Sequence, residues 1–327
     1  MLLYLLRRIV SAISVVLVAI IASFGLFYLA PTDPAGVVCG PKCTPERHAE
    51  ITANLHLDDP MIQQIFTYVQ GLVAGRTYTS AGVTIECAAP CLGYSYILGQ
   101  PVTTLMAQAL PVTVSIVSGS AIAFLLIGTL TGVIAARRRG TSADRAMVGG
   151  TLVLGAVPYF VVALMVALYI APATGLRAEY LPFLDNPVAW ALGLLAPWLT
   201  LGLVNAGPYT RYARASMIES LGEDYVRTAR AKGISERRVV YRHGLRAAVT
   251  PLATLFGMDV AFALSGTIFT ESIFGLPGLG QLTLRAFAQY DQPVLMGGVL
   301  LGATVLVVMN LIVDVMYTIL DPRVRLR

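Results

Sequence analysis

The most reactive side chains in this 327-residue sequence are four cysteines in two Cys-x-x-x-Cys pairs, Cys39 with Cys43 and Cys87 with Cys91. Outside the reducing cytoplasm such pairs form disulfides, although spacing alone does not fix which cysteine joins which. Zinc is the competing chemistry, because His48 and His56 stand nearby and thiolates with imidazoles can complete a tetrahedral shell. The compartment argument favours disulfides and no metal, provided the segment lies outside. Catalysis has no footing. His48, His56 and His243 occupy no H-E-x-x-H or nucleophile-elbow context, and the only lysines, Lys42 and Lys232, lie in no phosphate-cradling G-x-x-x-x-G-K-[ST] loop. Asp259 is the other residue of chemical interest. It falls near the middle of a long apolar run, where a charge costs roughly 2.5–3.5 kcal/mol even on insertion scales. Two roles fit it: polar lining of a substrate route, or a helix-to-helix hydrogen bond to Ser265, Thr267 or Asn205.

The elements that hold these residues follow from composition. With 56% hydrophobic and 13% charged residues and a mean hydropathy of +0.73, a large soluble core is excluded. The apolar residues gather into six runs, approximately Ile9–Ala30, Gln108–Ala135, Met147–Ala171, Val188–Tyr209, Val249–Thr270 and Val294–Leu320. Each is long enough to cross a bilayer as a helix of roughly 20 residues. A helix bonds every backbone N–H and C=O within its own segment, as lipid requires, and no alternating barrel pattern competes. The expected fold class is therefore an all-α membrane protein of six transmembrane helices. Arg7 and Arg8 before the first run suggest a signal peptide, but the 22 apolar-run residues exceed the roughly 7–15 of a signal core, so the helix is read as retained.

Lysine and arginine set the orientation. Met1–Arg8, Ala136–Ala146, Thr210–Ala248 and Asp321–Arg327 hold 18 of the 23, while the alternate segments hold Lys42, Arg47, Arg76, Arg177 and Arg285. The positive-inside rule places both termini and the 210–248 loop in the cytoplasm, N-in and C-in. The net charge of +5 is explained by this asymmetry, and no separate basic patch supports nucleic-acid binding. Three parts result: an N-terminal helix (1–30), an extracytoplasmic segment with the four cysteines (31–105), and a five-helix core (106–327) containing the 210–248 loop.

Within the runs, Gly128-Thr-Leu-Thr-Gly132, Ser115 with Gly119, and Gly149-Gly150 with Gly155 supply the small surfaces that let helix backbones approach in lipid. Pro158 and Pro197 lie well inside their runs, where each removes a backbone bond and tends to kink a helix. Asp314 lies nearer the cytoplasmic end and is expected to meet a basic loop residue.

The 210–248 loop reads as folded. From Glu223 to Lys232 the acidic residues come first and the basic ones last, which complements the helix dipole. Glu223 and Arg227 form an i,i+4 pair. Gly233 supplies a left-handed C-terminal cap, and Ser235 can cap a second short helix through Glu236-Arg237-Arg238. Two short helices joined at a glycine make a compact knob, and small Ala229 and Ala231 permit close approach of a partner.

The run 223–246, Glu-Asp-Tyr-Val-Arg-Thr-Ala-Arg-Ala-Lys-Gly-Ile-Ser-Glu-Arg-Arg-Val-Val-Tyr-Arg-His-Gly-Leu-Arg, resembles the cytoplasmic signature of binding-protein-dependent ABC importer permeases, most of all the first permease of the oligopeptide and dipeptide systems. The likeness extends to the Arg-Arg start, the large outer segment, and Glu271-Ser-Ile-Phe-Gly-Leu-Pro-Gly-Leu-Gly280. It implies a non-catalytic transport subunit in the cytoplasmic membrane of a prokaryote, without a cofactor of its own. Its implied partners are a second homologous permease in a heterodimer, two cytoplasmic ATPase subunits or domains that bind ATP and Mg, and an extracytoplasmic substrate-binding protein. The loop would be a coupling helix with Asp224, Tyr225, Arg227, Ala229, Lys232 and Gly233 as contacts, and peptide would pass by alternating access. The wider signature begins Glu-Ala-Ala where this chain has Arg227-Thr228-Ala229. Nickel, glutathione and heme carriers share the permease type. An ion-coupled secondary transporter using Asp259 is the reading from another class, without the expected inverted repeat or further intramembrane charges.

Overall fold

The structure, a computed structural model, describes residues 2–29, 33–40, 43–55, 57–80, 83–245, 252, 255–256, 259–260, 263 and 267–320. The chain forms two compact units. Among the described residues, one comprises 2–113 and 277–308, the other 114–276 and 309–320.

In the first unit the apolar N-terminus forms α1 (Leu2–Leu29). The segment that carries the four cysteines is folded into α2 (Pro34–Cys39), α3 (Pro45–Leu55), α4 (Met61–Ala74) and two small hairpins. Asp33 caps α2 by accepting the Gly36 N–H at 3.0 Å, a satisfied first-turn donor of the kind that fixes helix starts. In α4, Met61, Ile65, Tyr68, Val69 and Leu72 recur at helical spacing and pack with Ile20 and Phe24 of α1. The β-branched and aromatic runs Arg76–Ser80 (β1) and Val83–Cys87 (β2) pair antiparallel, Arg76 opposite Cys87 and Tyr78 opposite Ile85. Tyr94–Ser95 (β3) and Gln100–Pro101 (β4) form the second pair. The unit is completed by the start of α5 (Val102–Arg137) and by helices described below as α13 (Leu279–Ala288) and α14 (Gln292–Leu320). Val102, Met106, Ala286 and Val294 form its second buried cluster.

The second unit begins within α5 and contains α6 (Ser142–Ala156), α7 (Tyr159–Met165) and, through a wide π turn at Val166–Ile170, α8 (Ala171–Thr174). Then come α9 (Pro187–Gly222), α10 (Asp224–Ala231), α11 (Glu236–Arg238) with a π turn at Val239–Gly244, and α12 (Ile268–Phe274). Two glycines on α5 carry its close approach to α9. A side chain at Gly128 would collide with Tyr209 Cβ, and one at Gly132 would stand 2.6 Å from Ala213 Cβ and from the Thr210 carbonyl oxygen. Here the Gly-x-x-x-Gly pattern performs the packing expected of it, and Thr131 and Thr210 add a hydroxyl pair at 2.7 Å across the same seam.

Among the described residues α5, α9 and α14 are long and apolar enough to cross a membrane, and α6 with α7–α8 makes a fourth candidate bent by 97°. The break falls at Pro158, so this run is not one straight helix. Pro197 and Pro208 do not interrupt α9. That helix also continues 13 residues past Tyr209, because Ala213 and Met217 bury apolar faces rather than entering a loop. Most of the expected run 249–270 lies outside the described residues.

Candidate functional site

The basic segment after α9 folds as a knob whose chemistry is divided between a buried underside and a charged outer side. The chain breaks at Glu223, where ψ is 153°, and α10 starts with Asp224 and ends with Arg230 in its last turn, matching the helix dipole at both ends. Val226 and Val239 are fully buried, and they pack with Ala229, Leu221 and Ile234. Ala229, expected among the partner contacts, is 6% exposed and packs against its own chain, one turn from Val226. Gly233 has φ of +75°, the left-handed conformation that a side chain disfavours. Its N–H donates to the Arg230 carbonyl at 2.9 Å, and Ile234 N–H donates to the Ala229 carbonyl at 3.3 Å.

Side chains fix the two short helices to each other. Arg230 donates from Nε and Nη2 to the two carboxylate oxygens of Glu236 at 3.1 and 2.8 Å. These bonds hold the Glu236 carboxyl below its ordinary value and the Arg230 guanidinium above its own. Both side chains are about half exposed, so solvent screening keeps the bridge weak. Arg227 pairs with Asp224 at 3.3 Å rather than with Glu223, because Glu223 precedes the helix and only Asp224 shares its first turn. Both members of that pair are largely exposed, at 73% and 95%, and they stand with Lys232 and Gly233 on the outer side. The Tyr225 hydroxyl lies 2.8 Å from Ser220 Oγ, which donates to the Gly244 carbonyl. Ser235 starts α11 without a side-chain cap bond.

Behind the knob, Val133, Ala136, Met217 and Val240 form one buried cluster, joining α5, α9 and the π turn. An anchor missed in the sequence stands beside it. Arg214 donates to both oxygens of Asp144 at 2.6 and 2.7 Å, and Gly140 N–H donates to the same carboxylate at 2.9 Å. A bidentate pair of this kind fixes orientation as well as charge. Its members are 70 residues apart, and neither stands in a motif.

Asp259 accepts the Tyr209 hydroxyl on Oδ2 at 2.8 Å. Tyr209 is 1% exposed and packs with Phe124 at 4.9 Å between ring centroids. The helix-to-helix role thus has a partner, Tyr209, which differs from Asn205 and the other residues expected. In the first unit Cys39 is joined to Cys43 and Cys87 to Cys91. His48 Nε2 stands 2.8 Å from Asp33 Oδ2, and among the described residues no group of three or more His, Cys, Asp or Glu is placed to hold a metal. His56 lies outside them.

Residues 128–326, which include the knob, its anchor and Asp259, match the family described as binding-protein-dependent transport system inner membrane component. The chain belongs to this family. Residues 1–117 of the permease match the N-terminal part described for the same membrane components. It is 34% identical to a putative peptide transport system permease protein of Brucella abortus over 98% of both chains. It is 33% identical to the dipeptide transport system permease protein DppB of Escherichia coli over 99% of both. Among solved structures, the inward-facing MetNI methionine ABC transporter covers 67% of the permease with 97% of one of its own chains, at a TM-score of 0.53 and 17% identity. That likeness is one of fold.

Proposed function

We propose that this permease is the first of two membrane subunits of an ATP-driven importer of dipeptides and oligopeptides. The observation that carries this is end-to-end similarity, 33–34% identity over 98–99% of the chain, to proteins named as peptide permeases. In this reading the chain crosses the inner membrane six times with both ends in the cytoplasm, as the distribution of Lys and Arg supports. The segment 31–105 then faces outward and receives peptide from an extracytoplasmic binding protein. A second, homologous permease completes the route, and alternating access moves the substrate.

The knob is the coupling element. Asp224, Tyr225, Arg227, Lys232 and Gly233 present its outer side to a groove on an ATPase subunit. Its apolar underside and the Asp144–Arg214 anchor transmit movement of that subunit into α5, α6 and α9 as a rigid piece. Packed elements of this kind shift between discrete arrangements rather than bending continuously. ATP and Mg are bound and hydrolysed by the partners. Asp259 has a packing role: its bond to Tyr209 ties α9 to the following segment and gives no support to an ion-coupled route.

Uptake of a radiolabelled dipeptide into proteoliposomes tests the reading. Accumulation should require both permeases, the ATPase subunits, ATP and the binding protein; flux through this chain alone would defeat it.

A further inference from the structure

The first unit contains a half-open cavity of about 100 Å³, room for several water molecules at the roughly 10–15 Å³ that one requires. Aromatic rings form part of its wall. Tyr78 stacks on Tyr94 at 5.7 Å, Tyr94 meets Tyr96 edge-on at 5.0 Å, and Phe24 meets Tyr68 edge-on at 5.5 Å. Burial pushes the hydroxyls of Tyr68, Tyr78 and Tyr96 up, so they remain neutral donors. Charged groups stand at two points in this lining. Arg76 stands with its guanidinium carbon 5.2 Å from the Tyr78 ring centroid, and Asp291 is 3% exposed. Among the described residues no ion pair joins Arg76 to Asp291, although both line the same cavity.

Two further facts bear on what the cavity holds. The Tyr96 hydroxyl oxygen is buried and has no hydrogen-bond partner among the described residues, a state that costs about 1–3 kcal/mol unless something fills the space. Asp291 precedes α14; its carboxylate accepts the Ser95 hydroxyl and the Val294 N–H. Two neutral donors leave lone pairs of a carboxylate free. A buried carboxylate and a guanidinium that line one cavity with aromatic rings and do not neutralise each other suit a ligand carrying both charges. Tyrosine faces attract ammonium groups, and a guanidinium fork matches a carboxylate.

We propose that this cavity binds a small zwitterion with an apolar side chain, its ammonium on Asp291 and the tyrosine faces, its carboxylate on Arg76 and the Tyr96 hydroxyl. That the zwitterion is a short peptide with free ends rests on the import reading above; the charge chemistry does not. The site is on the outward-facing part of the permease in the proposed orientation, separate from the knob.

The test is equilibrium dialysis of radiolabelled Phe-Ala against the permease pair in nanodiscs, without the binding protein. Binding should saturate, and both N-acetyl-Phe-Ala and the amide of Phe-Ala should bind at least tenfold more weakly. Asp291→Asn keeps the helix cap, since Asn caps as well as Asp, and should weaken Phe-Ala at least tenfold while leaving the acetylated ligand unaffected. Arg76→Gln should do the same for the carboxylate end, and Tyr96→Phe should cost about threefold. The blocked ligands probe the unaltered chain, so the outcome does not depend on a variant folding. Equal binding of free and blocked peptides, or no saturable binding, overturns the site. Uptake by the whole transporter is scored separately: uptake without charge selectivity at the cavity sinks only this inference, and binding with no peptide uptake sinks only the import reading.

Discussion

The knob and the cavity solve opposite problems with opposite chemistry. The knob hides its apolar residues, Val226, Ala229 and Val239, and turns its charges outward at Asp224 and Arg227. The cavity hides its polar groups, Asp291 and the Tyr96 hydroxyl, behind aromatic walls. A protein surface that must seat against a partner and release it keeps its charges in water, where pairing is weak and reversible. A site that must recognise a small molecule removes its charges from water, where each uncompensated group waits for a counterpart. The two regions should therefore fail separately.

The largest effect is expected from Val226→Asp. An unpaired carboxylate in the knob interior costs about 3 kcal/mol or more, so peptide uptake should be lost while Phe-Ala binding at the cavity persists. Loss of both would show that the regions are not independent. Next comes replacement of Cys87 and Cys91 by serine. Both are nearly buried, and opening so small a loop costs about 2 kcal/mol. Thermal unfolding of the first unit, followed by proteolysis, should occur earlier, while ATPase activity of the assembled transporter is kept. Gly233→Val comes third. A branched side chain at φ of +75° costs about 1–2 kcal/mol, and the expected result is roughly tenfold slower uptake with ATP hydrolysis retained, an uncoupled phenotype. Arg230→Ala should be smallest. An exposed pair contributes about 0.2–1 kcal/mol, so uptake should fall less than about threefold, and the difference from the unaltered chain should shrink in high salt.

The comparison also separates what the residues announce from what they conceal. The knob was legible because its signals are local: an acidic start, a basic end and Gly233 fall within one short stretch, and α10 runs Asp224–Ala231 against an expected 223–232. Its buried side was not. Ala229 reads as a small contact residue until Val239, ten positions on, folds back over it. The cavity had no local signal, since Ser95 and Asp291 are 196 residues apart and its tyrosines come from a helix, two short strands and two turns. Prolines teach the same lesson. Pro158 and Pro197 have the same setting in sequence, yet only the first ends its helix. Near Pro197, Trp198 donates to the Ser115 carbonyl at 2.8 Å, a contact with α5 that holds α9 in place and that no reading of one helix alone contains.

The claim at the centre is that the outer side of the knob meets an ATPase subunit. Site-specific photo-crosslinking measures it directly: a photoreactive residue at Arg227 in membrane vesicles carrying the whole transporter, with one at Glu86 on β2 as the control. The account predicts an adduct with an ATPase subunit from Arg227 and none from Glu86. An ATPase adduct from Glu86, or none from Arg227 while uptake is intact, would contradict it.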